Sequence, residues 1–248
     1  MFKNTVITLL ATLAFAQGAI RGTAQDHDTN RELRDGNREL MRSSRNSSRK
    51  GGKKGSRTYR VTVTNLSLDQ PMSPFFAAVH SYETPPLYTL GQPASDALAL
   101  LAEDGNNSDV ISMYEQMDSV LSSESVTSGL LMGGATMSFM VEAPRGYSYL
   151  SMASMAVNTN DCFVAVNGQY IYDGASMELP GLDSGTEENN ELCTHVPGPA
   201  CEGAGAGVRA TENAEGFVHV HRGNQRIGDL GPQYDWRNPM LSVSIERM

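Results

Sequence analysis

The chain has 248 residues and a formal net charge of −9. That average joins two unlike parts: residues 1–60 carry 13 Lys/Arg against 5 Asp/Glu, whereas residues 61–248 carry 6 against 23. A body so poor in cations argues against nucleic acid as a partner, because phosphate contacts need Lys and Arg. Beyond residue 20 no apolar run reaches the roughly 20 residues that span a bilayer as a helix.

At the start of the chain, Lys3 precedes the apolar run Val6–Ala16, which ends in the small-residue pattern Ala14-Phe15-Ala16. This is the pattern of a secretory signal peptide over residues 1–16, with cleavage after Ala24 as the alternative, and it predicts a secreted, extracellular protein. Residues 25–56 are basic, and Arg42–Gly55 contains no apolar residue. Such a stretch buries too little surface to offset chain entropy, so a disordered basic linker or propeptide is predicted.

Residues 57–248 are long enough for one substantial core. Tyr59–Leu66 alternates with β-branched residues, as does Thr136–Glu142, and both predict strands. Further strands are predicted at Phe75–Ser81, Tyr147–Val157, Cys162–Gly168, Gly216–His221 and Met240–Ile245. Two helices are predicted between them. Ala94–Glu103 is rich in helix formers and stops at Asp104-Gly105-Asn106, and Ser108–Ser122 follows, with Ser108 as N-cap and Val110, Met113, Met117 and Leu121 at helical spacing. The sum is an all-β-dominated antiparallel sandwich of about eight strands, with one or two short helices in an insertion.

Four stretches carry a family resemblance: Tyr59–Leu66 entering Pro74-Phe75-Phe76; Leu98–Asn106; Met152–Asp161 running into Phe163-Val164-Ala165; and Gly216–Gly223, followed by Ile227-Gly228-Asp229-Leu230 and Asp235-Trp236-Arg237-Asn238-Pro239. Together these resemble the spondin N-terminal domain over residues 57–248. The resemblance implies a C2-like antiparallel sandwich with bound Ca²⁺ and a non-catalytic adhesion or extracellular-matrix role. Its partners would be an extracellular protein, a glycan or a cell surface. Carried over by position, the resemblance implies that calcium is held by Asp161, Asp183 and Glu187, the last two in the loop Asp183-Ser184-Gly185-Thr186-Glu187. Glu187 stands where animal members carry Asp, and Glu188, Glu191 and Asp173 are substitute ligands. The residues themselves suit the ion: Ca²⁺ takes six to eight hard oxygens, which carboxylates from two loops supply, and Gly185 permits the tight turn between the two acids.

Other residues support rival readings. His219 and His221 lie two apart on a predicted strand, hence on one face. With His195 and His80, or with Asp229 and Asp235, they would suit a His-coordinated metal site or a metalloenzyme. A calcium-dependent phospholipid-binding module facing an anionic membrane surface is a further alternative. The three cysteines are Cys162, Cys193 and Cys201. Cys193 with Cys201, flanking a loop that contains Pro197-Gly198-Pro199, is the favoured disulfide in an oxidising compartment, and Cys162 with Cys193, which would tie the two calcium loops together, is the alternative; either leaves one thiol. Sequons stand at Asn46, Asn65 and Asn106. The single Trp236 is predicted to pack in a turn before the last strand.

Overall fold

The computed structural model describes residues 56–248. The predicted signal peptide, the basic segment up to residue 55 and the Asn46 sequon lie outside them. No helix among the described residues is long and apolar enough to cross a membrane.

Ten strands and two α-helices follow one another along the described chain. They are β1 (Arg57–Asn65), β2 (Phe76–His80), α1 (Asp96–Asp104), α2 (Ser108–Glu115), β3 (Val120–Ser125), β4 (Thr136–Ala143), β5 (Tyr149–Met155), β6 (Cys162–Tyr170), β7 (Ala175–Leu179), β8 (Leu182–Asp183), β9 (His219–Val220) and β10 (Leu241–Arg247). They form two antiparallel sheets, β4-β1-β10-β7 and β3-β2-β5-β6-β8-β9. The predicted all-β sandwich is therefore the observed architecture, with ten strands rather than about eight.

The first sheet has one buried face, and its sequence says so. In β1, Tyr59, Val61 and Val63 point into the core, while Thr62 and Thr64 face outward and meet Ser138 and Thr136 of β4 across the sheet. Their inward face packs with Val243 and Ile245 of β10 against Leu150, Met152, Val164 and Val166 of the second sheet. The second sheet is covered on both faces. On its other side Leu98, Leu101 and Ala102 of α1 and Val110 and Tyr114 of α2 close over Phe76, Ala153, Phe163 and Ala165. Double burial explains why β2 and β5 carry apolar or small residues on both faces, including the buried Ser151 and Ser154, rather than alternating with charged ones. Each fully buried side chain of this size contributes about 1.5–3 kcal/mol.

Several predicted boundaries change. Ser95, not Ala94, begins the first helix as its N-cap, its side chain accepting from the Leu98 amide, and Gly105 ends it at φ +66°. A β-carbon on Gly105 would lie 2.7 Å from Ser73 Cβ, so the stop is steric as well as conformational. The second helix has Asn107 rather than Ser108 as its cap and stops at Glu115. The predicted continuation to Ser122 becomes β3, because the edge of β2 offers that backbone a ladder and the serines there form helix weakly. Leu121, placed on a helical stripe by its spacing, is exposed on that strand. The strand predicted over Gly216–His221 shrinks to His219–Val220. Its flanks are still held, by Val218 N–H to the Gln92 carbonyl and His221 N–H to the Gly181 carbonyl.

Candidate metal centre

Strands β6 and β8 bring the acidic residues together. Cys162 pairs with Asp183 in the β6–β8 ladder, so Asp161, one residue earlier, stands beside the loop that leaves β8. That loop wraps around Asp161. Its Oδ2 accepts from Ser184 Oγ at 2.8 Å, Thr186 N–H at 2.8 Å and Glu187 N–H at 3.1 Å. Gly185, at φ +71°, makes the turn, and its N–H donates to Asp183 Oδ1 at 2.8 Å. A β-carbon there would fall 2.3 Å from the Phe217 carbonyl oxygen, so only glycine fits between the two segments.

Asp161, Asp183 and Glu187 are all completely buried. Two of their oxygens, Asp161 Oδ1 and Glu187 Oε1, are buried without a hydrogen-bond partner. Burial is the main cause that raises all three carboxyls. It lifts Asp161 despite the three donors on Oδ2. It pushes Asp183 up to about 7, with help from the nearby Asp161 charge, and Glu187 up to about 8, with help from Glu103. Ionising these carboxyls, which folding has stripped of water, therefore carries a free-energy cost at this end of the sandwich. A proton or a cation relieves it. The donor-free oxygens are hard ligands, which suit calcium rather than a soft ion.

The three side chains do not close on one point. Glu187 Oε1 lies 3.5 Å from Arg209 Nε, and Arg209 is itself bonded to Glu103 and Asp104 at the end of α1. Glu187 thus leans toward a guanidinium that ties the loop to the helix. The proposed substitutes are engaged elsewhere. Glu191 accepts Gln225 and Ile227 amides on its two oxygens, Glu188 accepts from Asn213, and Asp173 accepts the Arg247 amide. Glu191 is a loop clamp, since both its oxygens are used.

The histidines separate. His80 is buried against Tyr114 and Tyr149 and bonds Ser151 Oγ through Nε2. His195 Nδ1 lies 3.1 Å from Asn190 Nδ2. Asp229 accepts the Cys193 amide and Asp235 pairs with Arg237, so neither meets a histidine as expected from the sequence. His219 and His221 do both approach Asp183, at 3.6 and 4.0 Å. His221 is held as a donor to Asn189 Oδ1 at 2.8 Å, with the Gly223 amide on its other nitrogen, and burial lowers it to about 3. The partner missed from sequence is Glu215, which with Asp183 and His219 forms the group, among the described residues, whose ligand atoms all lie within 4.8 Å of one another. Its one signal is the four-residue spacing of Glu215 and His219.

The remaining site residues are also placed. Cys193 and Cys201 are joined as a disulfide, and Cys162 is a buried free thiol. Asn106 is exposed in the turn before α2. Asn65 is not available to a glycan: it is fully buried, its Nδ2 donates to the Gln70 and Leu131 carbonyls, and its Oδ1 accepts from Ser67. Trp236 packs into the core and stacks near His221, with ring centres 5.1 Å apart.

No protein-family model matches the chain, and no curated protein matches it.

Proposed function

We propose that the protein is a secreted, non-catalytic β-sandwich module that binds Ca²⁺ through Asp161, Asp183 and Glu187. The ion would fix the loops at that end of the sandwich for contact with an extracellular protein, a glycan or a cell surface. The observation that supports this reading is the pair of donor-free, fully buried oxygens, Asp161 Oδ1 and Glu187 Oε1, beside the buried Asp183 carboxylate. Buried carboxylates cost several kcal/mol when left unpaired; Arg209, 3.5 Å from Glu187 Oε1, offsets part of that cost, and a hard divalent cation offsets more while accepting the geometry of carboxylates from two loops. When bound, the ion supplies charge neutralisation. The chain's own contribution is orientation, because Ser184, Thr186 and Glu187 donors hold Asp161 in place.

The test is thermal melting of the purified protein with Ca²⁺ and with a chelator. Calcium raises the melting temperature of the wild type, and the double variant Asp161→Ala, Asp183→Ala loses that shift. A wild-type protein whose melting temperature ignores calcium defeats the reading.

A further inference from the structure

Asp183 also belongs to a second constellation. The β8–β9 ladder sets Asp183 directly opposite His219, and Glu215 lies four residues before that histidine. His219 Nε2 is 3.6 Å from Asp183 Oδ1 and 4.0 Å from Glu215 Oε1.

The tautomer of His219 follows from its neighbour. Its Nδ1 lies 3.1 Å from the Val220 carbonyl oxygen, which can only accept, so Nδ1 carries the proton. Nε2 therefore presents a lone pair, and it is buried with no hydrogen-bond partner. A lone pair and two carboxyl groups thus face one another, with Asn189 Nδ2 reaching Asp183 Oδ2 at 2.6 Å and Glu215 Oε1 at 3.4 Å but not His219 Nε2. The separations of 3.6 and 4.0 Å are too long for hydrogen bonds. They are near what a metal imposes: two ligands about 2.0–2.1 Å from a tetrahedral ion stand about 3.3 Å apart. All three ligand atoms lie within 4.8 Å of one another, so closure onto an ion takes a movement of about 1 Å, and the movable members are the solvent-reaching side chains His219 and Glu215.

Asp183 is the rigid member. Gly185 N–H holds its Oδ1, and Asn189 Nδ2 holds its Oδ2 at 2.6 Å. Asn189 is in turn oriented by His221. His221 acts one step behind the cluster, then, and the pairing of two histidines expected from their spacing gives way to one histidine with two carboxylates. The hydrogen bond from His219 Nδ1 to a backbone carbonyl is the outer contact that ligating imidazoles use to fix their orientation.

We propose that Asp183, Glu215 and His219 bind a divalent transition ion of the zinc class, with the remaining coordination position taken by water or by a donor group from a partner. An imidazole with two carboxylates favours such an ion over calcium, which prefers oxygen alone. The site shares only Asp183 with the proposed calcium centre and does not depend on it.

The experiment uses metal-stripped full-length protein titrated with Co²⁺, whose visible absorption reports its ligand set, followed by displacement with Zn²⁺. The wild type takes up one equivalent with a visible band that one equivalent of Zn²⁺ removes. His219→Ala and Glu215→Gln each weaken Co²⁺ binding by about tenfold or more, while Glu124→Gln, an exposed acid on strand β3, binds it as the wild type does. Far-UV circular dichroism and a urea midpoint close to those of the wild type certify the folding of His219→Ala independently of calcium. Wild-type protein that takes up no Co²⁺, or a His219→Ala variant that binds it with unchanged affinity, overturns the proposal. Loss of the calcium shift alone overturns only the calcium reading.

Discussion

Raising the pH of the calcium-free protein destabilises it between pH 7 and 8.5, a range in which ordinary carboxylates have finished titrating. In the folded chain Asp183 keeps its proton to about pH 7 and Glu187 to about pH 8, against 3.8 and 4.5 for the same groups in water. Each group has a raised folded value, so the unfolded chain is the first to lose its protons. The native state is favoured most below about pH 4, and that advantage drains away as pH climbs through 7 and 8. Each pH unit over which the folded state holds one extra proton is worth about 1.4 kcal/mol. From pH 7 to 8.5 Glu187 accounts for about 1 kcal/mol and Asp183 for roughly half of that. Asp161, raised by the same burial, acts in the same direction. His221 works oppositely, being lowered to about 3. Its effect falls at lower pH, below the 6.5 at which the unfolded imidazole titrates, and it scarcely enters this window. The net loss is about 1–2 kcal/mol, read from urea unfolding midpoints in chelator. Saturating Ca²⁺ reverses the trend, because ionised ligands bind it more tightly, and at about a hundred times the dissociation constant it adds about 2.7 kcal/mol. Stability in chelator that is flat or rising from pH 7 to 8.5 would refute the premise that these carboxyls are held neutral by burial.

Other perturbations follow from the same geometry. Gly185→Ala places its β-carbon 2.3 Å from the Phe217 carbonyl at φ +71° and costs about 2–4 kcal/mol in denaturant unfolding; Gly174→Ala, at φ +83° with open space around it, costs only the conformational contribution of about 1–2 kcal/mol. Leu101→Ala removes a fully buried side chain between α1 and the second sheet and costs about 2–5 kcal/mol by the same assay. Cys193→Ser opens a disulfide closing an eight-residue separation and costs about 2.5 kcal/mol on the loop-entropy argument. Expressed through a glycosylating secretory pathway, the protein carries sugar on Asn106 by peptide mapping and none on Asn65, whose amide is buried and doubly bonded.

The strands that sequence reveals are those whose environment imposes a period. In β1, β4 and β10 one face is buried and the other wet, so Val61 and Val63 alternate with Thr62 and Thr64, and the residue order alone displays the pattern. Strand β7 keeps the same alternation, Ala175, Met177 and Leu179 against Ser176 and Glu178, but only over five residues, and the two residues Leu182–Asp183 of β8 are too few to show any period and are extended because β6 offers them a ladder. Likewise Val110, Met113, Met117 and Leu121 do keep helical spacing, yet tertiary pairing with β2 takes the chain out of helix after Glu115. At the site, resemblance singles out Asp161, Asp183 and Glu187, and all three are buried at one end of β6 and β8. Glu215 is illegible because its meeting with Asp183 is made by a ladder that joins residues more than thirty positions apart. Its charge in the sequence looks like any other surface acid.

The buried Cys162 has a practical use. Its thiol is fully enclosed and raised well above its usual value, chiefly by burial and then by Asp183 and Asp161, so a thiol reagent meets it only when the β6–β8 end parts. Because it sits between the two aspartates in the ladder, its alkylation rate is a clock for the opening of that end alone, without any engineered label. An ion that bridges Asp161 to Asp183 must slow that clock, and one that leaves the pair untouched must not. The chain therefore carries, in one side chain that binds nothing, a time-resolved gauge of whatever occupies its neighbours.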